Sequence, residues 1–134
     1  MIRRRVLPRS VPVTGFTDLQ RRPITDGTGQ AVVNGSGAAI VRVGPGHWGQ
    51  TWYPVSADIA TTTGALDTST VQFFLGVISA SSQIGGQSYQ GGGDTMSWSS
   101  RPVQIGEQVF AVWSGATPGD LATLRVTGDE DVLT

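Results

Sequence analysis

The sequence predicts an all-β protein, an antiparallel β-sandwich of jelly-roll or Ig-like type with about seven or eight strands behind an extended N-terminal arm. Three observations carry this. Apolar residues recur with period two and nowhere with helical period. Turn residues punctuate the 134-residue chain at intervals near ten, among them 19 Gly and 7 Pro. Good helix formers are scarce, since Lys is absent and Glu occurs only as Glu107 and Glu130. One domain of this length buries enough surface to fold without a metal or disulfide, and the chain has no Cys.

Three regions follow: an arm at 1–28, a sandwich at 29–128 and an acidic tail at 129–134. In the arm, Pro8, Pro12 and Pro23 break any helix. Its many apolar residues favour ordering against the body or a neighbouring subunit over an inert tail.

The strands then read in order. Gln30–Asn34 precedes Asn34-Gly35-Ser36-Gly37, a hairpin turn sequence. In Ala38–Val43, Val41 and Val43 share a face opposite Arg42. In Thr51–Thr62, Tyr53, Val55, Ala57 and Ile59 share one face while Trp52, Ser56 and Asp58 share the other. Pro54 inside that run marks an edge, an irregular start or a bulge. Gly64–Asp67 reads as a loop and Thr70–Ile78 as an apolar strand. The Ser- and Gly-rich stretch 79–93 reads as a loop, and Thr95–Ser99 as a short strand with Met96 and Trp98 on one face. Arg101–Gly106 leads into a turn. In Val109–Ser114, the residues Val109, Ala111 and Trp113 alternate with Phe110 and Val112. Leu121–Gly128 closes the core, with Ala122, Leu124 and Val126 facing in.

Charge is distributed unevenly. Residues 1–22 carry six Arg against Asp18, a net of +5, and residues 23–134 carry three Arg against nine acidic side chains, a net of −6. A basic arm on an acidic body points to a partner. The acidic body argues against nucleic acid, and no aromatic residue interleaves with Arg3-Arg4-Arg5. Docking on an acidic protein surface fits better, with Arg3, Arg4, Arg5, Arg9, Phe16, Arg21 and Arg22 as the contact residues. No apolar run approaches the length of a membrane span, and Val-Leu-Pro-Arg-Ser after the first Arg residues is too charged for a leader. The chain reads as soluble and unprocessed.

No catalytic set emerges. The single His47 has no Cys partner and no Gly-x-Ser-x-Gly elbow, and reads as a turn residue. A phosphate loop of Walker type needs the missing Lys. The carboxylates Asp58, Asp67, Asp94 and Asp120 fall mostly where Asp serves turns, and no spaced Asp pattern marks a Ca²⁺ loop. The chain therefore reads as a non-enzyme without cofactor or metal. Trp113 reads as core. Trp48, in a turn, and Trp52, opposite the apolar register, read as an interface or core position, with a sugar-stacking platform as the alternative.

Several stretches resemble a known group. They are Val33–Pro45, Trp52-Tyr53-Pro54-Val55, the Gly86-Gln87-Ser88-Tyr89 and Gly92-Gly93-Asp94 loop, and Gln108–Thr123. Together they resemble small β-sandwich accessory virion proteins of tailed phages of high-GC bacteria, of minor tail or head-decoration type. The likeness covers roughly residues 30–128 and leaves the arm aside. It implies a virion component made in the host cytoplasm, repeated as a homo-oligomer in the assembly and bound to major capsid or tail subunits. The alternative is a virion module that binds a host-surface glycan.

Overall fold

The computed structural model describes residues 19–84, 89–98 and 101–133. Among these residues, ten strands form two antiparallel sheets, as an all-β sandwich requires. In the larger sheet, the long strand β10 (Leu121–Leu133) is central. Two short strands lie along one of its edges: β1 (Leu19–Pro23) against its second half, β2 (Thr28–Val32) against its first. On its other side lies β4 (Thr51–Thr61), whose far edge carries β7 (Gly93–Ser97) and β8 (Val103–Gln104). The smaller sheet has the order β3 (Ala39–Val43), β9 (Val109–Ser114), β5 (Thr70–Leu75), β6 (Tyr89–Gln90).

Period-two alternation builds the core. Val109, Ala111 and Trp113 of β9 are fully enclosed, facing Ala122, Leu124 and Val126 of β10 across the sandwich layer. The Trp113 indole N–H donates to the Gly91 carbonyl at 3.1 Å, so its polar atom is satisfied inside the core.

One strand departs from the expected pattern. In β4, Ala57 and Ile59 face inward as their period predicts, yet Val55 is exposed and Trp52 is completely buried. The cause is a bulge. Thr127 pairs with Ser56 and the next residue, Gly128, pairs with Pro54, so Val55 is the extra residue. One inserted residue exchanges the faces of everything before it, because the side-chain period is two. Gly128 sits opposite the kink with φ +148°, and a Cβ there would collide with the Tyr53 carbonyl, so only glycine fits. Pro54 thus marks the bulge, one of the roles its sequence allows.

The ends of the chain also depart from expectation. The acidic tail at 129–134 is no solvated appendage through Leu133: β10 continues to that residue, with Glu130 fully buried and Asp131 nearly so. The arm contributes β1 to the same sheet, so neither 28 nor 129 bounds the folded unit. Short strands β1, β6 and β8 raise the count above seven or eight. Thr70–Ile78 ends as a strand at Leu75, with Val77 exposed, and Gly64–Leu66 and Ala80–Ser82 are single 3₁₀ turns.

Asp67 has the turn chemistry its position predicts. Its carboxylate accepts from the Ser69 backbone N–H at 2.9 Å and from the Thr61 hydroxyl at 2.9 Å. Burial pushes this carboxyl up, but the hydrogen bonds from Ser69 and Thr61 outweigh it and hold it below the usual carboxylate range. A carboxyl with a lower pKa folded than unfolded contributes stability above its unfolded pKa of about 3.9, and that contribution is lost as pH falls through the folded value. The urea midpoint is therefore expected to drop below about pH 4. Asp67→Asn should be less stable at pH 7 and show a shallower drop on acidification.

Candidate functional site

The sheet register brings Leu19–Pro23 beside Asp129–Leu133. Arg21 lies opposite Asp131 and Arg22 opposite Glu130. Alternation puts the first pair on the outer face and the second on the inner face, beside Trp52, which pairs with Glu130 from the other side.

The inner pair is the more constrained. Arg22 Nε donates to Glu130 Oε2 at 2.7 Å, and Gln50 Nε2 donates to Oε1 at 2.7 Å. The carboxylate is fully enclosed, whereas the Arg22 side chain remains 44% exposed. A buried carboxylate is tolerated only when donors saturate it, and here each oxygen has one.

Gln50 passes this order on. Its Oε1 accepts from the Gly46 N–H at 3.0 Å and the His47 N–H at 3.1 Å. The Gln50 N–H closes the turn by donating to the His47 carbonyl at 3.1 Å. Gly49 adopts φ +79° and lies so close to Leu133 that a Cβ would come within 2.5 Å of the Leu133 side chain. The β3–β4 loop is therefore pinned at both flanks, and at its tip Trp48 is 80% exposed. A large aromatic side chain on a braced loop loses little freedom when a partner covers it.

On the outer face, Arg21 pairs with Asp131, with Nη2 donating to Oδ2 at 3.1 Å. Its guanidinium carbon lies 4.2 Å from the Tyr53 ring centroid, a cation–π distance. The hydrogen bond from Arg21 holds the Asp131 carboxyl below the usual range.

The sequence-predicted residues divide accordingly. Arg3, Arg4, Arg5, Arg9 and Phe16 lie outside the described residues. Arg21 and Arg22 are engaged within the chain, on Asp131 and Glu130, with 52% and 44% of their side-chain surface still exposed. Trp48 is exposed as expected. Trp52 is a correction: fully buried by the Val55 bulge, it provides no platform for a sugar or a partner. Sequence reasoning missed Gln50, Glu130 and Asp131. The available clue was the match between Arg21-Arg22 and Glu130-Asp131, two adjacent charges of each sign, followed by apolar Val132 and Leu133 that no solvated tail needs.

Three further carboxylates hold the scaffold together. Asp58 accepts from the Thr95 hydroxyl at 2.8 Å, Asp94 from the Gln90 N–H at 3.2 Å, and Asp120 from the Thr63 N–H at 3.0 Å. Among the described residues, no three His or acidic side chains converge as a metal site, and no helix is long and apolar enough to cross a membrane.

Fold and site together define an all-β module of two sheets with a braced, Trp-tipped loop at one end. No protein family, curated protein or solved structure matches the chain.

Proposed function

We propose that this protein is a non-enzymatic structural component of a phage virion, attached to capsid or tail subunits through protein–protein contacts. Trp48 is the anchor residue of that attachment, and the basic segment ahead of β1 adds a second grip. The observation that carries the contact reading is the 80% exposure of Trp48 on a loop held by buried hydrogen bonds. A largely exposed Trp is costly to leave in water, and Trp is enriched among interface hot spots. The virion assignment comes from the resemblance of residues 30–128 to accessory virion proteins. In a symmetric shell or tube many copies would bind at once, so a modest contact per copy gives stable attachment.

Co-sedimentation with virions stripped of this protein tests the reading. Wild-type protein is expected to rebind to saturation. Trp48→Ala is expected to bind roughly thirtyfold more weakly, the loss of about 2 kcal/mol typical of a hot spot. Its stability should stay within about 0.5 kcal/mol of wild type, as for other surface changes. Failure of the wild-type protein to rebind would remove the virion reading. Binding to a host-surface glycan that vanishes in Trp48→Ala would instead favour a receptor-binding module, with Trp48 as its stacking platform.

A further inference from the structure

We infer that strand β1 is a latch on the Trp48 loop: seating Arg22 on Glu130 sets the loop that presents Trp48, so arm docking and partner binding are coupled. The inference rests on Trp48 being the contact residue proposed above.

Two connections run from β1 to the loop. The polar one passes from Arg22 through Glu130 to Gln50, and from Gln50 Oε1 to the Gly46 and His47 N–H groups. The apolar one passes through Leu133, which pairs with Leu19 on β1 and packs against Gly49 at the base of the loop. Both end on the residues that flank Trp48.

β1 is also the strand best placed to move. All five of its residues are exposed, and among the described residues it pairs only with β10 and no strand lies on its outer edge. Short edge elements of this kind open at lower free energy than the core. When β1 lifts, Glu130 is left enclosed with one neutral donor, Gln50. An enclosed carboxylate without its cation is among the least tolerated arrangements in a protein. The smallest relief is movement of Gln50 and the end of β10 to admit water. Gln50 is the same side chain that holds Gly46 and His47, so relieving Glu130 frees the loop.

Linkage then runs both ways. A partner that grips Trp48 in the braced conformation tightens β1 on β10. A partner that captures the basic segment and draws β1 away releases Trp48. Seating of β1 and grip on Trp48 therefore favour each other, whereas any pull on the basic segment that unseats β1 weakens the Trp48 contact.

Backbone NMR relaxation of the full-length chain tests the latch without any partner. In wild type, residues 46–49 are expected to have order parameters near 0.85, like β9. In Arg22→Met they should fall below about 0.6, while Val109–Ser114 keep theirs. Arg22→Gln, which retains a neutral donor, should fall between, and it decides the matter if Arg22→Met does not fold. Arg22→Lys should restore the wild-type values. Unchanged order at 46–49 in a folded Arg22→Met or Arg22→Gln protein, or an equal loss throughout the chain, would overturn the latch. Either result leaves the Trp48→Ala binding experiment untouched, so the two readings fail separately.

Discussion

Trp52→Ala is expected to cost about 3–5 kcal/mol of folding stability, the range for truncating a large buried aromatic residue. That is a large fraction of the 5–15 kcal/mol a domain of this kind typically has. The same substitution at Trp48 should change stability by no more than about 0.5 kcal/mol. The contrast comes from one inserted residue. Without the bulge at Val55, Trp52 would face solvent and Tyr53 the core; with it, Trp52 is enclosed between Glu130 and Val103 on its two neighbouring strands. Urea denaturation of the two variants beside wild type reads the difference directly. Val55→Thr, at a position 66% exposed, should stay within about 0.5 kcal/mol. Deleting Val55 should be at least as damaging as Trp52→Ala, because it forces either Trp52 out of the core or the bulge into a new place. Equal, small losses for Trp52→Ala and Trp48→Ala would show that the strand register is not the one described.

This bulge also marks where the sequence stops being legible. Strands whose alternation is uninterrupted can be read from the residues alone: Val109–Ser114 is predicted with its observed bounds and faces. Val41 and Val43 face inward and Arg42 outward, also as predicted. Asp67 is recognisable because its partners, Thr61 and Ser69, are within six residues. A bulge carries a weaker local signature. Pro54 announces an irregularity, but whether the strand skips a residue depends on Gly128 on the strand opposite. The same limit hid the site. Asp129-Glu130-Asp131 has the composition of a solvated tail, and what pairs with Glu130 and Asp131 is a strand whose Arg21 lies 110 positions before Asp131. Composition reports the charge of Arg21, Arg22, Glu130 and Asp131; only the register shows that the charges satisfy one another. The exposed Trp48 was legible because a turn between two strands has nowhere to bury a side chain of that size.

Arg22→Met should lower stability by roughly 2–4 kcal/mol, somewhat less than the 3–5 kcal/mol typical when one partner of a wholly buried ion pair is removed, since Arg22 is partly solvated. The diagnostic is the sign of a second change. In wild type, Glu130→Gln should destabilise, because it exchanges a charge-assisted hydrogen bond from Arg22 for a neutral one. In the Arg22→Met background the same Glu130→Gln should stabilise, because it removes a charge that burial no longer compensates. A double-mutant cycle of four proteins, measured by urea unfolding, is expected to give a coupling of about 1–3 kcal/mol. Arg21→Met supplies the comparison. Asp131 lies on the outer face under a half-exposed Arg21, so removing Arg21 opens the carboxylate to water, and the loss should be smaller and fall as salt is added. If Arg22 and Glu130 prove additive, Glu130 must draw its compensation from elsewhere, and β1 would be an ornament on the sheet edge. If they couple as expected, β1 is joined to the core by a fully buried carboxylate that needs its cation. That coupling is the first link of the latch; the order of residues 46–49 reports the second.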